Sequence, residues 1–172
     1  MKKTKLIITL MITLLFATIG NAQMNFKTIR KEFGKLSGVW EGTLTYLDYS
    51  SGKPHIIPAD LKIIRINTSK FIFSNVYPKE PRENSTDTLF ISADYKYIDK
   101  GIIKSTRKLT NGDIQIITEE LGKDGNDNKP AIFRHIYTFS SATFTKRKDV
   151  QFIGEAKWIN RNEYSYKKKF SR

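Results

Sequence analysis

The chain has 172 residues, a formal charge of +13 and no cysteine. Without cysteine there is no disulfide scaffold, thiolate metal site, cysteine nucleophile or lipid anchor on a cysteine. Hydrophobic residues make up 39% of the chain, so a core can form without such staples.

The first segment reads as a secretory leader. Lys2, Lys3 and Lys5 form a basic start, Leu6 to Ile19 is an almost unbroken apolar run, and Gly20-Asn21-Ala22 supplies small residues for cleavage. The apolar run is 14 residues, short of the ~20 that a membrane-spanning helix needs. The expectation is cleavage after Ala22 and export, to the periplasm or beyond, with a retained membrane anchor as the alternative. Residues 23–172 then form one domain. Cysteine-free export also favours a bacterial envelope over an animal extracellular space.

Removing the leader takes away three lysines and no acids, leaving +10. Such charge draws anionic partners. The lysines are scattered, however, with runs only at Lys146-Arg147-Lys148 and Lys167-Lys168-Lys169. They read as solvated outer faces of strands. No specific nucleic-acid partner is expected, and weak attraction to anionic lipid or polysaccharide of the envelope stays open.

In chain order, Phe26, Ile29, Arg30, Phe33 and Leu36 carry helical spacing, which predicts a short amphipathic helix over 26–36, ended by Ser37-Gly38. From Val39 the period changes to two. Trp40, Gly42, Leu44 and Tyr46 fall on one face of a strand reaching Tyr49. A second strand is predicted near 55–66, weakened at its start by Pro58, and a third places Phe71, Phe73, Asn75 and Tyr77 on one face. Residues 78–86 read as a loop. Further strands are expected at 87–92, 102–109, 113–121, 131–139, 143–152 and 157–170, with 94–99 either a short strand or a connection. Asn111-Gly112 signals a two-residue hairpin turn, and 122–130 reads as a polar turn. One helix followed by eight to ten strands with short connections predicts an all-β, up-and-down antiparallel barrel. A sandwich is the alternative.

The segment Leu36-Ser37-Gly38-Val39-Trp40-Glu41-Gly42 resembles the opening of the lipocalin-like (calycin) barrels, where a short helix leads into Gly-x-Trp at the base of the first strand. Gly38 and Trp40 match. The resemblance implies a basic residue from the last strand over the Trp ring, Arg172 first, Lys168 next, with Arg161 towards the wrong end. The paired cysteines and later lipocalin motifs are missing, as is the Arg-x-Tyr with which fatty-acid-binding relatives hold a carboxylate. The chain is most similar to exported bacterial lipocalin-like proteins.

No catalytic constellation emerges. His55 and His135 are the only histidines, and no acidic pair lies at ligand spacing, so no metal or other cofactor is expected; a haem would need only one histidine, His135 on its aromatic strand face. The loop Asp124-Gly125-Asn126-Asp127-Asn128 lacks the glycine and glutamate of a calcium loop. Glu119 and Glu120 are adjacent on a strand and point to opposite faces. There is no Gly-x-Ser-x-Gly and no phosphate-binding glycine loop. The aromatic surplus either fills the barrel or lines a cavity. On the cavity reading Tyr46, Phe73, Tyr137 and Tyr164 form walls, and Asn75, His135 and Asn162 orient a small apolar ligand. The residues favour this binder over two alternatives. One is an isomerase or hydrolase using tyrosines and histidine as acid and base; the other is an interaction module for an envelope protein or polysaccharide.

Overall fold

The computed structural model describes residues 27–48 and 51–169. The proposed leader, Phe26, Tyr49 and Arg172 lie outside the described residues.

Helix α1 (Lys27–Lys35) buries Ile29 and Phe33, and Leu36 just beyond it, on one stripe. Eleven strands follow: β1 (Gly38–Leu47), β2 (Pro54–Pro58), β3 (Asp60–Arg65), β4 (Lys70–Val76), β5 (Ser85–Phe90), β6 (Tyr97–Ile98), β7 (Gly101–Lys108), β8 (Ile114–Asp124), β9 (Lys129–Phe139), β10 (Thr143–Phe152) and β11 (Ile159–Lys168). Ten run side by side in the order β5-β4-β3-β1-β11-β10-β9-β8-β7-β6, with β2 on the flank of β1. Adjacent strands pair antiparallel. The result is the expected barrel, nearly closed, rather than a sandwich.

The two ends of the sheet meet at a short seam. Ile91, directly after β5, bridges Ile98 in β6. The Asp99 N–H donates to the Phe90 carbonyl at 2.8 Å, and the Phe90 N–H donates to Asp99 Oδ1 at 2.7 Å. The ambiguous segment 94–99 is thus the closing piece, two strand residues long.

Local chemistry adjusts three predicted boundaries. The strand expected over 55–66 divides at Ala59, whose N–H donates to the Gly42 carbonyl at 2.9 Å, while Asp60 Oδ1 accepts the Gly42 N–H at 3.1 Å. Pro58 has no N–H to continue the ladder, so β2 and β3 flank different parts of β1. At Asn111-Gly112 the Leu109 N–H donates to the Asp113 carbonyl at 2.7 Å. That leaves three loop residues, of which Gly112 alone has a positive φ, +90°; this is a turn with a glycine bulge, not the two-residue turn. The turn expected over 122–130 shrinks to 125–128, because β8 and β9 stay paired out to Asp124 and Lys129.

Helix α1 stoppers one end of the barrel. The Phe33 ring meets those of Phe139, Tyr137 and Phe71 at centroid distances of 5.0, 5.5 and 6.0 Å. Trp40, 2% exposed, donates its Nε1–H to the Leu36 carbonyl at 2.7 Å, which ties helix to strand. Gly38 turns the chain between them at φ +132°, a conformation side-chain-bearing residues avoid. Lys168 Nζ lies 5.4 Å from the Trp40 ring centroid and donates to the Lys35 carbonyl at 3.1 Å. Among the described residues the cation over the tryptophan is Lys168; Arg172, expected there first, lies outside them.

Phe33→Ala is expected to lower stability by about 3–5 kcal/mol in equilibrium denaturation. A loss below about 1 kcal/mol would mean that the helix does not stopper the barrel.

Candidate functional site

Directly paired residues in an antiparallel ladder share a face. Phe144 is buried in the core and pairs with Phe139 and Tyr166. Two residues on, Lys146 pairs with Tyr137 and Tyr164; two further, Lys148 pairs with His135 and Asn162. The run Lys146-Arg147-Lys148, expected on an outer face, therefore sends two of its three cations inside. On the opposite wall Phe73 pairs with Asp87 and Asn75 with Ser85. The interior has two zones: a packed apolar end under α1 and a polar zone beyond it.

The polar zone holds a cavity of about 200 Å³. Leu61, Phe73, Leu89 and Phe144 form its apolar wall. Asn75, Tyr77, Ser85, Asp87, Thr88, Asp99, Lys146, Tyr164 and Tyr166 supply the polar groups. Asn75 Nδ2 donates to Ser85 Oγ at 3.0 Å, and the Tyr77 and Tyr164 hydroxyls are 2.8 Å apart. A Cβ on Gly42 would come within 2.5 Å of the Tyr166 ring, so glycine there is what lets Tyr166 stack on Tyr164, centroids 5.8 Å apart. For scale, a dry cavity of ~150 Å³ accepts benzene. This one fits a single-ring compound.

Burial dominates the electrostatics. It lowers the pKa of Lys146 against the opposing pull of Asp99, Asp87 and Glu120. It raises the carboxyl of Asp99. It pushes the phenols of Tyr137, Tyr164 and Tyr166 well above their usual range. No hydrogen bond or ion pair to Lys146 occurs among the described residues. The wall thus carries two carboxylates against one reluctant cation, an acidic interior in a basic protein.

Beside the cavity lies a second polar group. His135 Nε2 is 3.2 Å from Glu120 Oε1, while His135 Nδ1 is buried without a hydrogen-bond partner among the described residues. Burial first, and the Lys146 charge second, hold His135 below its ordinary pKa despite Glu120. Glu119 points the other way and accepts from Arg134 at 2.6 Å on the outer surface, which separates the adjacent glutamates as expected.

Of the residues expected to line a ligand site, Phe73, Asn75 and Tyr164 are in the cavity wall. Tyr137 is buried with its ring against Phe33, and His135 sits beside it; neither lines the cavity. Asn162 and Tyr46 pair with each other further along the barrel. Tyr46 packs on His55, centroids 5.4 Å apart, beside a separate cleft of about 120 Å³. Sequence reasoning missed Asp87, Asp99 and Lys146. Counting by two from Phe144 finds Lys146, and counting back from Leu89 finds Asp87. Asp99 has no such signal, since it lies in the turn between β6 and β7.

A histidine held below its ordinary value of 6.5 binds fewer protons folded than unfolded at mildly acidic pH. Its contribution is intact above that value and is lost as pH falls towards the folded pKa. Stability of the wild type, measured by urea titration from pH 7.5 to about pH 5, is expected to fall more steeply than that of His135→Gln; equal slopes would contradict this. Lys146 is likewise held low, so its penalty shrinks as pH rises towards the ordinary lysine value. Lys146→Met is expected to stabilise by about 1 kcal/mol at neutral pH, and a destabilised variant would refute the burial penalty.

No protein-family model matches the sequence, and no curated protein does. Among solved structures the chain is similar to the crystal structure of Rv2717c from M. tuberculosis, with 9% identity and a TM-score of 0.47, over 81% of this chain and 96% of that one.

Proposed function

We propose that this chain is an exported, lipocalin-like (calycin) barrel that binds a small, neutral or cationic, single-ring molecule in its interior. The cavity between β4, β5, β10 and β11 carries this reading. Its apolar wall suits a ring, and Asn75, Tyr77 and Tyr164 offer hydrogen bonds to a polar substituent. Asp87 and Asp99 repel an anion, so the occupant is more polar than the apolar ligand expected from the aromatics alone. The calycin assignment is supported by Gly38, Trp40 and the Lys168 ammonium above the Trp40 ring. Export is supported by the leader-like residues 1–22. The basic exterior suits weak attachment to anionic envelope surfaces while the cavity selects against anions.

The pairing of His135 with Glu120 is the one observation that favours an isomerase or hydrolase. Neither side chain lines the cavity, so binding is the better reading.

Isothermal titration with benzylamine, benzamide and benzoate tests the proposal. Benzylamine and benzamide are expected to bind, with benzoate at least about tenfold weaker and Asn75→Trp, which fills the cavity, abolishing all binding. Absence of binding by every probe, or a preference for benzoate, would overturn it.

A further inference from the structure

We propose that the Lys146 ε-amino group condenses with a small aromatic aldehyde held in the cavity, forming a reversible imine. This deepens the binding reading and rests on it. Four observations converge on that amine.

Lys146 stands mid-strand on β10, in register between Tyr137 and Tyr164, and its side chain forms part of the cavity wall. It is free of hydrogen bonds and ion pairs among the described residues. By contrast Arg147, on the outer face, is engaged by Asp149 at 2.7 Å, and Lys148 lies 3.7 Å from the Phe133 ring centroid. Burial favours the uncharged amine, the form that attacks a carbonyl. Finally, Asp87 and Asp99 line the same cavity, where they can balance a cationic nitrogen.

The chemistry closes without an oxidant or reductant. The amine nitrogen attacks the carbonyl carbon; a C–N bond forms and one amine proton passes to the carbonyl oxygen, giving a carbinolamine. Its C–O bond then breaks. The hydroxyl leaves as water on a proton taken from solvent, and the nitrogen lone pair completes a protonated C=N bond. The Asp99 and Asp87 carboxylates then face that cation. Hydrolysis reverses each step, so the ligand is held covalently but releasably. Phe73 and Phe144 offer the ring an apolar surface.

The full chain is treated with benzaldehyde and cyanoborohydride near pH 7, and modified lysines are located by peptide mass spectrometry. The expected result is one benzyl group on Lys146, added at least about tenfold faster than on exposed Lys79 or Lys157. The labelling rate at Lys146 levels off at lower pH than at those two lysines. Its titration is shared with the groups that face it: Asp87, Asp99, Glu120, His135, Tyr137, Tyr164 and Lys148. Lys146→Arg keeps the charge, cannot form the imine, and is expected to lose this fast site while still binding benzyl alcohol, a ring of the same size without the carbonyl. If benzyl alcohol binds the wild type and Lys146 labels no faster than the exposed lysines, the imine is overturned and the binding reading stands. If benzyl alcohol, benzylamine and benzamide all fail to bind the wild type and Lys146 labels no faster, both fall.

Discussion

Alternation admits no exceptions along a regular strand. Once Phe144 is committed to the core against Trp40, Phe139 and Tyr166, Lys146 and Lys148 must follow it inside. The same rule on β5 carries Asp87 inward behind Leu89, and on β8 it carries Glu120 inward behind Ile116 and Thr118. The polar interior is thus a consequence of register set at the apolar end. Ionisable groups at such positions are unfavourable for folding alone, and here they surround a cavity rather than a packed core.

The apolar end makes this arrangement tolerable. Helix α1 lays Phe33 across the rings of Phe71, Tyr137 and Phe139, and Trp40 joins helix to strand through the Leu36 carbonyl. Dense packing there fixes the strands against one another. The zone beyond it can then stay partly empty and charged without collapse. Lys168 above Trp40, held also by the Lys35 carbonyl, finishes that end with a cation drawn from the last strand.

Asp99 connects the barrel's closure to its cavity. Its main chain and side chain both bond Phe90 across the seam, and its carboxylate lines the space occupied by Lys146. A change of charge at this residue acts on both. The seam is the thinnest part of the wall, with one bridge between Ile91 and Ile98, beside a β6–β7 ladder of only two pairs. The cavity wall and the closure of the sheet are therefore linked through one side chain.

The sequence by itself determined the elements and the inward faces of their aromatic positions, though not that Lys146 and Lys148 share that face. Helical spacing from Ile29 to Leu36, period-two patterning from Trp40 onward and short polar connections suffice for one helix and an antiparallel barrel, because these signals are local and repeat within a few residues. Gly38 and Trp40 marked the stoppered end for the same reason. Register and closure belonged to the tertiary structure. Which strand meets which, and at what offset, decides that Lys146 faces Asp87 and Asp99, that His135 reaches Glu120, and that Tyr46 and Asn162 stand away from the cavity that Tyr164 lines. The turn at Asn111-Gly112 took a third residue because the Leu109–Asp113 pairing, not the dipeptide, set its length. Alternation states which way a side chain points; only closure of the sheet, which adds the offsets of ten strands around a ring, states what it meets.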